Sequence, residues 1–101
     1  MNTLDFLNIE APFVESEPEI VAITTADVAA RVILYNDEEH TFDEVIRQIV
    51  KATNCSAHRA ELLTLEVHFI GKAQVFEGAM TDCLRVSGVL EEIALHTQVE
   101  F

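Results

Sequence analysis

Apolar and polar positions become orderly from Arg31 onward. Arg31-Val-Ile-Leu-Tyr35 is a short β-rich apolar run closed by Asn36-Asp37, residues that favour turns and caps, so it predicts a buried strand ending in a loop. Val45, Ile46, Ile49 and Val50 recur at spacings of three and four and predict one face of a helix. That helix opens near Thr41, carries Asp43 and Glu44 in its first turn where the dipole favours anions, and stops at Asn54. Ser56 caps a second helix containing Arg59, Leu62, Leu63 and Val67, and Gly71 ends it. Ala73 and Val75 alternate with Lys72 and Gln74 as a half-exposed strand. Gly78 precedes a third helix expected over Thr81 to Ile93, with Cys83, Leu84, Val89, Leu90 and Ile93 turned inward, and Leu95 to Phe101 alternates as a last strand. The order β-α-α-β-α-β implies an α/β (α+β) domain, a small three-stranded antiparallel sheet with three helices on one face.

Charge adds a boundary to this picture. Residues 1–30 hold six acids and no base, together with both prolines, whereas all six bases lie in residues 31–101. An acidic, flexible arm at 1–30 followed by a folded domain at 31–101 is the simplest division. With 101 residues there is room for one core and no second catalytic domain. A net charge of -12 opposes contact with phosphate backbones and anionic membrane surfaces, so neither nucleic acid nor membrane is an expected partner. The start shows no basic residue ahead of an apolar run, and no uncharged stretch is long enough to span a bilayer, so neither export nor membrane insertion is indicated and a cytoplasmic protein is expected. Cys55 and Cys83 lack any C-x-x-C partner and are expected to be reduced, buried thiols.

Candidate chemistry concentrates in Asn36-Asp-Glu-Glu-His-Thr-Phe-Asp-Glu44, which packs five carboxylates and a histidine into nine residues. A calcium loop is excluded because Phe42 stands where the sharp-turning glycine belongs. The four histidines, His40, His58, His68 and His96, have no zinc-ligand spacing, so neither metal nor other cofactor is expected. Read locally, the cluster is either a solvated helix start or the acid–base group of a small hydrolase using Asp37, Glu39 and His40. A non-catalytic dimerisation module of the same fold class is a further alternative.

Taken together, Leu34 to Thr41 followed about 30 positions later by Val67-His-Phe-Ile-Gly71-Lys-Ala73 resembles ClpS, the adaptor family that brings N-degron substrates to a Clp AAA+ ATPase-protease. The run Asn36 to Ile46 is also similar to the ClpS-like domain of eukaryotic N-recognin ubiquitin ligases. The resemblance implies an adaptor and not an enzyme, with the N-domain of a ClpA- or ClpC-like ATPase and N-degron proteins as partners. It implies that Asn36, Asp37 and His68 receive the substrate's free N-terminal ammonium, a group with three donors and no acceptor. Thr41, Ile46 and Val67 would wall a pocket for the first side chain, with Val99 contributing from the last strand. Asp43 and Thr64 stand at two pocket positions where bacterial members commonly carry Met, and Cys83 and Gly88 replace an acid and a Lys that contact the ATPase.

Overall fold

The computed structural model describes residues 28–101. The elements run β1 (Ala29–Tyr35), α1 (Phe42–Thr53), α2 (Ala57–Ile70), β2 (Lys72–Ala79), α3 (Met80–Glu91) and β3 (Thr97–Glu100). This is the expected β-α-α-β-α-β order, with an antiparallel sheet in which β1 sits between β2 and β3. The acidic arm expected at 1–30 lies outside the described residues as far as position 27. Its last two residues, Ala29 and Ala30, belong to β1 instead, because buried Ala30 continues the inward alternation of Val32 and Leu34.

Local signals explain the helix boundaries. Thr41 Oγ1 accepts the Glu44 amide at 3.2 Å while Glu44 Oε1 accepts the Thr41 amide at 2.8 Å, a reciprocal capping box that starts α1. Ser56 Oγ accepts the Arg59 amide at 3.0 Å and starts α2. Gly71, at φ 104°, ends α2 in a left-handed conformation that costs a residue without Cβ nothing.

The helices α2 and α3 pack on the sheet and α1 lies across both. Their shared core holds Val32 and Leu34 of β1, Ile49 of α1, Leu63 of α2 and Val86 and Leu90 of α3. Two expectations are corrected. Leu84 was expected inward and is 58% exposed, because α3 buries Cys83, Val86, Ser87 and Leu90, the i, i+3, i+4, i+7 stripe that Leu84 misses. Cys55 is only half-buried, whereas Cys83 is buried.

The strand β2 extends to Ala79, past the alternation that marked it. Val32 pairs with Phe76 but Ile33 with Gln74, so Val75 is an extra residue, a bulge that shifts the inward phase from Ala73 and Val75 to Phe76. Helix α3 starts directly from Ala79 and ends two residues before the expected Ile93. It closes in a Schellman motif: Leu95 N–H donates to Leu90 O at 3.4 Å and Ala94 N–H to Glu91 O at 2.9 Å, with Ala94 at φ 65°. An alanine there carries the left-handed penalty that glycine avoids. Ala94→Gly is therefore expected to raise stability by about 0.5–1 kcal/mol in chemical denaturation; a loss of stability would show that the Ala94 methyl contributes packing that outweighs the strain.

Candidate functional site

Two backbone bonds fix the point where β1 releases the chain. Tyr35 N–H donates to His96 O at 3.0 Å and Asn36 N–H to Gly71 O at 2.9 Å, which suspends the Asn36–Thr41 loop between the α2–β2 and α3–β3 turns. Inside the loop, Asp37 Oδ1 accepts the amides of Glu39 at 3.0 Å and His40 at 3.2 Å. Asp37 Oδ2 receives His40 Nδ1 at 2.8 Å, and the other ring nitrogen, Nε2, meets the carbonyl of Ile93 at 2.5 Å.

These contacts set the charge states. Partial burial works against an ionised Asp37, but hydrogen bonds from the His40 ring and from the Glu39 and His40 amides outweigh it and hold its pKa below the ordinary carboxylate value. Burial likewise disfavours a charged His40, yet the Asp37 carboxylate and the Ile93 carbonyl, with Glu44 nearby, raise its pKa. A raised His40 contributes stability that is complete below its unfolded value of 6.5 and is lost as pH climbs through the folded value. A lowered Asp37 contributes stability present above 3.8 and lost as pH falls through its folded value. The loop is tightest in the window between the two.

Beside this loop lies a cavity of about 30 Å³. Its lining includes the polar side chains of Asn36, Asp37, His40 and His68 and the apolar side chains of Leu34, Phe42, Val45, Val67 and Leu95. His68 is held edge-on between Phe42, at a centroid distance of 5.0 Å, and Phe69, at 4.8 Å. Thr64 lines the cavity with its hydroxyl already donated to Ala60 O at 2.8 Å, so it offers the space no free donor. A carboxylate has about four acceptor positions. Three of Asp37's are taken, which leaves one on Oδ2.

The fold thus brings Asn36, Asp37 and His68, from two segments of the chain, to one cavity that Thr64 and Val67 also line. Four other residues expected in the pocket lie outside its lining. Thr41 is the helix cap, Asp43 is exposed in the first turn of α1, and Ile46 and Val99 pack at the margin of the core. Phe42 and Val45, three apart on α1, stand where Thr41 and Ile46 were expected. Because α1 begins at Phe42, the i, i+3 pair facing the loop was the available signal.

Among the described residues no group of three or more His, Cys, Asp or Glu side chains could hold a metal ion, and no helix is long and apolar enough to cross a membrane.

Comparison with known proteins bears on the family and the fold. The family model "ATP-dependent Clp protease adaptor protein ClpS" matches residues 25–98. The chain is 32% identical over 66 residues to the human E3 ubiquitin-protein ligase UBR1, an overlap of 65% of this chain and 4% of that protein. It is 30% identical over 81 residues to the Caenorhabditis elegans E3 ubiquitin-protein ligase ubr-1, covering 80% of this chain and 4% of that protein. The chain therefore spans a small fraction of the length of these curated relatives. Among solved structures, Agrobacterium tumefaciens ClpS2 bound to L-phenylalaninamide superposes with a TM-score of 0.68 at 15% identity, covering 74% of this chain and 96% of that one.

Proposed function

Because the chain belongs to the ClpS family, we propose that it binds the free N-terminal residue of N-degron substrates and delivers them to a Clp AAA+ ATPase-protease. The docking partner is the N-domain of a ClpA- or ClpC-like ATPase, and the setting is the cytoplasm. The observation that carries the ligand class is a cavity lined both by Asn36, Asp37 and His68 and by apolar side chains. An ammonium brings three donors, and these residues answer with an amide oxygen, a carboxylate lone pair and an imidazole nitrogen.

The magnitudes require both halves of the site. Burying one Leu or Phe side chain contributes about 1.5–3 kcal/mol, and a hydrogen bond to a charged group about as much. Association costs at least about 4 kcal/mol, so neither term suffices and together they select the free amine and its side chain. With a cavity of about 30 Å³, the walls must part to admit a large side chain. Phe42, 41% exposed and with His68 as its one ring partner among the described residues, is the least buried of the apolar walls.

This geometry counts against His40 as the base of the hydrolase alternative. Both ring nitrogens of His40 are committed, to Asp37 and to Ile93, so neither accepts a proton from a substrate or a water. The decisive experiment is fluorescence anisotropy with Phe- and Leu-starting peptides and their N-acetylated forms. Acetylation removes the charge and two of three donors and is expected to abolish measurable binding; equal affinities would end the adaptor reading.

A further inference from the structure

We propose that His40 is a positioning residue for amine recognition, donating from both ring nitrogens, to Asp37 Oδ2 and to the Ile93 carbonyl, so that the last acceptor position of Oδ2 is held toward the ligand. The inference rests on the adaptor reading and assigns a task to a residue outside the acceptor set.

The argument is one of donor count. A neutral imidazole has one N–H and one lone pair. His40 faces two acceptors, a backbone carbonyl that can only accept and a carboxylate whose other oxygen takes two amides, bonds that together with the ring favour its ionised form. A neutral ring would press its lone pair against one of them, at 2.5 or 2.8 Å, in a side chain only 10% exposed. The imidazolium satisfies both. The groups facing it agree: the Asp37 carboxylate from its own loop, Glu44 from α1 and the Ile93 carbonyl from the α3–β3 turn favour the charge. From α2, His68 lines the same cavity.

The tie also matters mechanically. Beyond Asn36 the loop's amides at Glu39 and His40 bond only to Asp37, so the loop is closed on itself. The loop's ends are held by the Asn36–Gly71 backbone bond and the Thr41 cap, and between them the His40–Ile93 bond, across 53 positions of sequence, ties its middle to the α3–β3 turn. Releasing it frees the carboxylate to turn away from the ammonium. Charge opposes geometry here, since the imidazolium also offsets part of Asp37's attraction for a cation. The two effects predict opposite signs on removing His40, which makes the proposal testable.

The test is the dissociation constant of a Phe-starting peptide for the full chain and for His40→Phe, from about pH 6 to about pH 9. Titration of the peptide amine cancels in the ratio of the two constants. The ratio is expected to be about tenfold at the acid end and to fall toward one as pH rises through the elevated His40 pKa. A ratio that does not change with pH, or a variant that binds more tightly, overturns the proposal while wild-type binding leaves the adaptor reading intact. Should the wild type bind no free amine at all, both fall. Imidazole nitrogen NMR of the wild type keeps the question open to refutation if His40→Phe does not fold: two protonated ring nitrogens at neutral pH support the tie, and a singly protonated ring refutes it.

Discussion

Asp37→Asn is expected to weaken a Phe-starting peptide by about 1.5–3 kcal/mol, roughly 10- to 150-fold in dissociation constant. The substitution is chosen because it keeps the loop. An Asn side-chain oxygen can still accept the amides of Glu39 and His40, now received by Oδ1 at 3.0 and 3.2 Å. What disappears is the negative charge and the Oδ2 acceptor. In place of Oδ2 an NH₂ faces His40 Nδ1, so a neutral ring that donates only to Ile93 satisfies every partner, and His40 should lose its elevated pKa. Anisotropy measures the first effect and proton NMR of the His40 ring the second. An unchanged affinity in a folded Asp37→Asn protein would mean that Asn36 and His68 read the amine without it.

Much of this site was legible because its parts are local signals. Asn36-Asp37 marks the end of a strand, Thr41 and Ser56 are caps, and Gly71 is a stop, so the strand end and the two helices that frame the cavity follow from the chain itself. That Asn36, Asp37 and His68 belong together came from resemblance to a family, since nothing in their spacing brings α2 to the end of β1. The pocket walls were harder. The helix begins at Phe42, one residue after its cap, and lines the cavity with Phe42 and Val45, which are three apart, whereas Thr41 and Ile46 are five apart and do not share that face. The bulge at Val75 hid half of β2 by interrupting its alternation. His40 was read as an acid–base candidate because its second partner, the carbonyl of Ile93, is a backbone group that carries no side-chain signal. Contacts to distant carbonyls depend on how a turn closes, here on Ala94 in the left-handed region, and that is decided by tertiary packing.

Leu90→Ala is expected to cost about 2–5 kcal/mol, whereas Leu84→Ala, six positions earlier in the same helix, should stay within about 0.5 kcal/mol of wild type. Both are leucines on α3 and both read as inward from spacing alone. Leu90 is completely buried in the shared core, while Leu84 is 58% exposed. Truncating Leu90 removes buried methyl groups and leaves a void whose lining loses its contacts, because a close-packed core refills only in part. Truncating Leu84 exchanges one solvated side chain for a smaller one. In a folded region of this size the whole stability is of order 5–10 kcal/mol, so Leu90→Ala removes a large fraction of it and should lower the melting temperature by at least about 8 °C. Function should follow stability, since the Leu90 carbonyl receives the amide of Leu95, and Leu95 is both a core residue and a wall of the cavity. Thermal and urea unfolding of the two variants decide the matter. Equal destabilisation by both would place Leu84 in a packed environment and would shift the buried stripe of α3 by one position.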